Sequence, residues 1–150
     1  MGLSVGSNMQ EFSLRDQEGN WFHSREHLGK KPLVLFFYPK DFTPGCTAEA
    51  CAFRDSYEDF TEAGALVVGI SSDSEASHRK FASRHRLPFI LLSDPTKEVR
   101  RKFGVKNRLL NLLPGRETFV GDKKGRIVMT FEGMQASGHV PRALKAIKKL

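Results

Sequence analysis

The sequence has only two cysteines among 150 residues, and neither has further Cys or His partners at the short spacings of a zinc site. Cys46 and Cys51, five positions apart, also lack the pattern of a secreted disulfide framework. A chain of this length buries roughly 70% of its unfolded surface, so it needs neither a disulfide nor a metal to form a core. We therefore expect redox or nucleophilic chemistry at the cysteines, in a reducing compartment, with no cofactor.

Long apolar runs are absent as well, since none approaches the ~20 residues that span a bilayer, and no signal peptide is visible. Gly2 does not begin a myristoylation motif, because position 6 is Gly6. No repeat, linker or low-complexity segment divides the chain, which predicts one domain over residues 1–150. We expect no membrane contact and a cytoplasmic location in a bacterium, or the plastid stroma or lumen side if a transit peptide preceded a plant or algal mature form.

The chain has no recognised nucleic-acid motif to accompany its net charge of +7, from 24 Lys and Arg against 17 Asp and Glu. Basic residues gather over residues 100–108, 78–86 and 145–149. Such clusters either attract phosphate and acidic partners or form solvated helix faces. Because aromatic residues are not interleaved with them, we favour solvated faces and expect no nucleic-acid partner.

Strand and helix signals alternate through the middle of the chain. Residues 33–38 form a continuous apolar run typical of a central strand covered on both faces, and residues 65–70 and 89–92 are similar. Polar turns between apolar runs predict hairpins over residues 12–23 and 117–131. The pattern predicts an α/β sandwich whose mixed sheet is parallel in the centre and antiparallel at the C-terminal hairpin.

Capping residues predict where the helices begin and end. Ser24 is predicted to cap a short turn ended by Gly29, and one helix is predicted from the cysteine stretch to near Gly64. The other predicted helices begin at Ser74, at Asp94-Pro95 and at Pro141. The apolar residues of 108–115 recur with neither the period of a helix nor that of a strand. This segment forms either a packed loop or an exposed patch that docks a partner, and we favour the packed loop.

Cys46 is predicted to lie where the buried strand of residues 33–38 leads into a helix. Thr43 and Pro44 supply an N-cap and a first helical residue, which puts Cys46 in the first turn. Free N–H groups and the positive end of a helix favour a thiolate. A nucleophilic cysteine needs such help, because the thiol of a free cysteine has a pKa of about 8.5. An inert buried cysteine is the alternative, since free Cys is among the most buried residue types.

Cys51 lies too far along a regular helix to bond Cys46. Residues five apart have Cα atoms about 8.6 Å apart in an α-helix, whereas a disulfide tolerates about 7 Å. A reaction between the two sulfurs therefore requires the first turns of the helix to unwind.

Two neighbours of Cys46 each allow two interpretations. The Thr43 hydroxyl either caps the helix or contacts the thiolate or a substrate oxygen. Pro39 either ends the strand or shields the thiolate from water.

The run around these residues resembles the peroxiredoxins. Pro39-x-x-x-Thr43-x-x-Cys46 is similar to their active-site motif, and FYPKDFTPGCTAEACAFRD resembles the bacterioferritin comigratory protein and peroxiredoxin Q subfamily. Further stretches match in order, among them Val68-Gly69-Ile70-Ser71, Phe103-Gly104-Val105 and Leu113-Pro114-Gly115-Arg116. The chain departs from the family pattern at Gly121 and over residues 134–139.

The resemblance implies a thioredoxin-like fold and an antioxidant peroxidase in which Cys46 reduces hydroperoxides. Thr43 and Arg116 would hydrogen-bond the thiolate and the peroxide oxygens, and Pro39 would cover the site. Cys51 aligns with the resolving cysteine, which would form a disulfide with oxidised Cys46, reduced by thioredoxin or glutaredoxin. The resemblance also leads us to expect a monomer. Without the resemblance, Arg116 reads as a surface arginine.

Two other functions fit parts of the sequence. A general thiol-disulfide oxidoreductase would show Cys-x-x-Cys, whereas the spacing here is Cys-x4-Cys, so we rank it lower. A basic binding module for nucleic acid or an acidic partner would account for the charge alone.

Overall fold

The computed structural model describes residues 3–108 and 113–150, which contain nine strands and five α-helices. The strands are β1 (Ser13–Asp16), β2 (Trp21–His23), β3 (Leu33–Phe37), β4 (Leu66–Ser71), β5 (Ile90–Ser93), β6 (Asn107–Arg108), β7 (Leu113–Pro114), β8 (Glu117–Gly121) and β9 (Ile127–Glu132). The helices are α1 (Pro44–Asp55), α2 (Tyr57–Glu62), α3 (Glu75–His85), α4 (Glu98–Lys102) and α5 (His139–Lys148), with a 3₁₀ turn at Ser24–Glu26.

Seven strands form one mixed sheet in the order β2-β1-β5-β4-β3-β8-β9. The central strands β3, β4 and β5 are parallel, whereas β8 pairs antiparallel with β3 and forms a hairpin with β9. At the other edge, the β1–β2 hairpin adds antiparallel to β5. The predicted α/β architecture with a mixed sheet and a hairpin at each end is confirmed. None of the helices within the described ranges has the length and apolar character needed to cross a membrane.

Every residue of β3 is buried, because helices or loops cover both faces of the sheet there. Phe36 faces a cluster built with α1, α2, α3 and α5, and its ring stacks on Phe53 of α1 with centroids 4.4 Å apart. Phe37 faces a second cluster with Phe103, next to α4, and Phe119 of β8. The sheet thus separates two apolar layers, and the end of β3 leads directly into the cysteine stretch.

Two glycines in the sheet are explained by close packing. A Cβ on Gly69 would lie 2.6 Å from Phe36 Cζ, and one on Gly121 would lie 2.8 Å from Met9 Sδ. The departure from the family pattern at Gly121 is therefore accommodated by a methionine from the N-terminal segment, which fills the space of the missing side chain.

Three predicted helix boundaries are wrong. α4 begins at Glu98 rather than after Asp94, because the intervening residues form a turn in which Lys97 has φ +62°. α5 begins at His139, after Gly138 with φ +93°, and Pro141 falls within its first turn, where no helical N–H bond is lost. The predicted helix after the cysteines is broken at Ser56 into α1 and α2.

Other capping predictions have mixed outcomes. Ser74 caps α3 as predicted, with its hydroxyl accepting from the Ser77 N–H at 3.1 Å. Ser24 instead accepts from the Phe12 N–H at 2.8 Å, so its hydroxyl joins the turn to the segment before β1 rather than capping it. The alternatives predicted for residues 108–115 fall mainly on residues 109–112, outside the described residues, and stay predictions.

Candidate active site

Cys46 lies in the first turn of α1, as predicted, with 1% of its surface exposed. Thr43 precedes the helix with extended backbone angles, and Pro44 is its first residue. The N–H groups of this first turn have no helical acceptors, because the four residues before them are not helical. The Cys46 sulfur is thus buried at the positive end of the helix.

Arg116 reaches this sulfur from the neighbouring strand. β8 pairs antiparallel with β3, and the last pair is Phe37 with Glu117, so the residue before β8 lies beside the segment that follows β3. From there the Nη2 of Arg116 donates to the Cys46 Sγ at 3.3 Å. The structure therefore brings together the two residues that the resemblance associated.

Every nitrogen of the Arg116 guanidinium has a hydrogen-bond acceptor. Nη1 donates to Glu49 Oε1 at 2.6 Å, and Nε donates to the Met134 carbonyl at 2.9 Å. Glu49 is fully buried and follows Cys46 by three positions, which puts both side chains on one face of α1. With three fixed partners, the guanidinium is held in one orientation toward the sulfur.

Burial and neighbouring charges shift the pKa values of Glu49 and Arg116. Burial raises the pKa of Glu49 to about 7, against the opposing effect of Arg116. Burial also lowers the pKa of Arg116, but the charges on Glu49 and Cys46 outweigh it and leave that pKa raised. Arg116 is thus a permanent cation beside the sulfur, whereas Glu49 can gain or lose its proton near neutral pH.

His139 closes the far side of Glu49. Its Nε2 donates to the Gly133 carbonyl at 2.9 Å, so its Nδ1 is free to accept from the Thr118 hydroxyl at 2.8 Å; Nδ1 also lies 3.5 Å from Glu49 Oε2. Burial lowers the pKa of His139 to about 4, and nearby Arg116 acts in the same direction. The imidazole is therefore neutral at physiological pH.

The predicted contact between the Thr43 side chain and the thiolate is not made. Its hydroxyl donates to the Lys40 carbonyl at 2.8 Å, within the loop that precedes the helix, and it does not cap the helix either. The hydroxyl has one proton, and that proton is taken by the carbonyl. Pro39 is half-buried and directly follows the last residue of the apolar run, Tyr38.

Cys51 is half-buried in the middle of α1, and both cysteines are free thiols. Because the helix is continuous from Pro44 to Asp55, the geometric separation of the two cysteines holds. A disulfide between them requires the N-terminal part of α1 to open.

The loop between β3 and α1 is anchored by a buried polar network. Asp41 accepts from the Tyr38 hydroxyl at 2.6 Å and faces His78 Nδ1 at 2.7 Å, and His78 Nε2 lies 2.9 Å from the Leu92 carbonyl. Asp41, Asp73 and His78 have ligand atoms within 4.8 Å of one another, close enough for a metal ion. These atoms are already hydrogen-bonded to one another or to neighbouring groups, so the network is complete without one.

Three residues in or next to the site are not predicted from the sequence: Glu49, His139 and Arg100. Glu49 had a local signal, since its spacing from Cys46 places it on the same helix face. His139 had none, because it lies in the stretch of residues 134–139 that the family pattern did not match. Arg100 belongs to a basic cluster predicted to form a solvated helix face; that prediction is wrong for this residue, which is buried and donates to the Gly115 and Tyr38 carbonyls.

The chain is similar to known proteins over nearly its whole length. Residues 5–130 match the AhpC/TSA family. Chloroplastic peroxiredoxin Q of Sedum lineare is 49% identical over 99% of this chain and 80% of its own length, and that of Triticum aestivum is 49% identical over 99% and 68%. The structure of peroxidoxin BcpB from Mycobacterium tuberculosis superposes with a TM-score of 0.90 at 38% identity, covering 99% of this chain and 98% of that one. Xanthomonas campestris peroxiredoxin Q gives 0.85 at 34%, covering 92% and 90%.

Proposed function

Because the chain belongs to the AhpC/TSA family and is a peroxidase of the peroxiredoxin Q type, with a thioredoxin-like fold, we propose that Cys46 is the group that reduces the hydroperoxide. The observation that carries this proposal is the buried hydrogen bond from Arg116 to the Cys46 sulfur at the start of α1. A helix N-terminus and a cation on one sulfur favour the thiolate, which is the nucleophilic form.

In the first half-reaction, the thiolate attacks one oxygen of the hydroperoxide. The O–O bond breaks, the sulfur becomes a sulfenic acid, and the other oxygen leaves as hydroxide or alkoxide and takes a proton to give water or an alcohol. Negative charge moves from sulfur to the leaving oxygen during this step. Arg116, held by Glu49 and the Met134 carbonyl, can stabilise both positions of that charge without reorienting.

In the second half-reaction, α1 unwinds and the Cys51 thiol attacks the oxidised sulfur of Cys46. A disulfide forms and the sulfenic oxygen leaves as water. A dithiol reductant, thioredoxin or glutaredoxin, then reduces the disulfide and the helix reforms. The unbroken helix around both cysteines supports this order of events, because the folded form keeps Cys51 out of reach.

The remaining predicted residues take supporting roles. Pro39 shields the site from water at the end of β3. The Thr43 hydroxyl would contact a peroxide oxygen after rotating away from the Lys40 carbonyl, which is a turn about one side-chain bond.

The substrates we propose are hydrogen peroxide and organic hydroperoxides. The X. campestris bacterioferritin comigratory protein, 33% identical to this chain, was studied for its alkyl peroxide reduction activity. The chloroplastic relatives favour the plastid among the compartments expected from the sequence. We propose that the protein acts as a monomer.

Stopped-flow peroxide consumption coupled to thioredoxin and its reductase tests the proposal. Cys46→Ser should lose peroxide reduction entirely, whereas Cys51→Ser should complete one turnover per protein and then stop. Peroxide consumption by Cys46→Ser at the wild-type rate would refute the assignment. Faster reduction of insulin disulfides than of peroxide would instead indicate a general thiol-disulfide oxidoreductase.

A further inference from the structure

Arg100 is a buried cation next to the active site that the proposed mechanism does not use. It is the third residue of α4, with 3% of its surface exposed, on the face of the sheet opposite α1. Its Nη1 donates to the Gly115 carbonyl at 2.7 Å and its Nη2 donates to the Tyr38 carbonyl at 2.9 Å. One side chain thus joins two chain segments that are far apart in sequence.

Each of these carbonyls belongs to the residue directly before an active-site residue. Tyr38 precedes Pro39, and Gly115 precedes Arg116. The β3–β8 ladder ends at the pair of Phe37 with Glu117, so no ladder pair holds the two segments together beyond that point. Arg100 provides this connection, with a planar fork whose two ends bind one segment each.

Arg100 also places a second buried cation in the region of the active site, since it bonds the residues next to Pro39 and Arg116. Burial lowers the pKa of Arg100 to about 10, while the charges on Asp94 and Cys46 act to raise it. The side chain therefore remains charged at physiological pH. Asp94 accepts from the backbone N–H groups of Val99 and Arg100, which fixes the start of α4. The hydrogen bonds of the Arg100 guanidinium go to uncharged carbonyl oxygens, so they do not neutralise its charge. A buried cation in this region favours the anionic form of the sulfur by simple charge attraction.

We propose that Arg100 is a positioning residue for peroxide reduction: it fixes the segments that carry Pro39 and Arg116 relative to each other, and its charge favours the thiolate of Cys46. This inference rests on the proposed function, since it needs Cys46 as the nucleophile. Among the described residues, the sulfur also faces Arg116, which donates to it, and Glu49, which is bonded to Arg116. His139 Nδ1 lies 3.5 Å from Glu49 Oε2.

The test compares Arg100→Met, Arg100→Lys and the control Arg101→Met in single-turnover peroxide reduction from pH 5 to 9. Arg101 is the exposed neighbour on the same helix and has the same charge, but its Nη2 donates to the Thr96 carbonyl, away from the site. We expect Arg100→Met to react about tenfold more slowly near pH 6, with the difference in rate narrowing as pH rises, because a nearby cation favours the thiolate most where thiols are largely protonated.

Arg100→Lys separates charge from positioning. Lysine keeps the charge but cannot bind both carbonyls with a planar fork, so we expect the wild-type pH dependence with a rate several-fold lower at every pH. Arg101→Met should match wild type. If Arg100→Met does not fold, as judged by circular dichroism, the Arg100→Lys comparison decides alone.

Two results would overturn the inference: a folded Arg100→Met with wild-type rates across the pH range, or Arg100→Lys with the wild-type rate at every pH. Failure of the proposed function looks different, because Cys46→Ser would then still consume peroxide.

Discussion

The Arg116 guanidinium donates to the sulfur of Cys46 at 3.3 Å, although 70 positions separate the two residues along the chain. The contact exists because β3 and β8 are neighbours, so the end of one strand lies beside the start of the other. The pairing of these two strands therefore determines that the proposed nucleophile has a cation bonded to it.

Removing the Arg116 donor should strongly slow the reduction of peroxide by Cys46. Arg116→Met takes away the group placed to stabilise the charge on the leaving oxygen, and loss of one such donor costs about 10²–10³-fold in rate. We expect a loss of that size in kcat/KM for hydrogen peroxide, measured by stopped flow. Arg54→Met on the same helix as Cys46 is the control; this half-buried arginine bonds Asp55 and the His85 carbonyl rather than the sulfur, and the variant should remain within twofold of wild type.

Glu49 should make the stability of the protein fall as pH rises toward neutrality. Its pKa is raised by burial from 4.5 to about 7, so between these values the folded state holds a proton that the unfolded state has lost. The free energy of unfolding should therefore decrease over this window, by up to about 3 kcal/mol from this group. Urea denaturation of wild type and Glu49→Gln at pH 5 and pH 8 measures it.

Glutamine cannot ionise, so Glu49→Gln should lack this component of the pH dependence. The advantage of wild type over the variant should be larger at pH 5 than at pH 8. An equal difference at both pH values would show that Glu49 keeps an ordinary carboxyl pKa in the folded protein.

Breaking the Asp41–His78 pair should cost substantial stability. Both side chains are almost completely buried, and removal of one partner of such a pair costs about 3–5 kcal/mol because the other is left without compensation. Chemical denaturation of Asp41→Ala measures this loss. The control is Asp55→Ala, which removes an exposed carboxylate from its ion pair with half-buried Arg54 and should change stability by about 0.5 kcal/mol or less.

Gly69→Ala should destabilise the sheet through overpacking. The added Cβ would meet Phe36 Cζ at 2.6 Å and Leu91 Cδ2 at 2.9 Å, and such crowding costs about 1–3 kcal/mol. Gly133→Ala is the matched control, because its Cβ would make only ordinary contacts at 3.7 Å or more. Equal unfolding midpoints for the two variants would contradict the packing described for β4.

The sequence predicted those parts of the fold that depend on local patterns. The continuous apolar run of β3 predicts a strand covered on both faces, and the polar turns between apolar runs predict the two hairpins, because both are features of adjacent residues. The predicted starts of α4 and α5 are wrong for different reasons. Asp94 accepts from N–H groups five and six residues ahead, across a turn that spacing rules do not anticipate. α5 begins two residues before Pro141, directly after Gly138 with φ +93°.

Only the part of the site that lies on one helix could be predicted from the residues. Cys46 and its helix start follow from local signals, whereas Arg116 was assigned by resemblance alone. Glu49, His139 and Arg100 act through partners elsewhere in the chain: Glu49 binds Arg116, 67 positions away, and Arg100 binds the Tyr38 carbonyl, 62 positions away. No single-sequence pattern records such contacts, because they depend on which strands become neighbours.

Intact mass spectrometry after one equivalent of hydrogen peroxide tests the central claim most directly. The claim is that Cys46 is oxidised and that Cys51 then reaches it through an opened α1. Wild type should lose two hydrogens, with the disulfide mapped to Cys46 and Cys51, whereas Cys51→Ser should gain one oxygen at Cys46. A wild-type protein that consumes peroxide while both cysteines remain reduced, or a Cys46→Ser variant that is oxidised at Cys51 just as fast, would contradict the account.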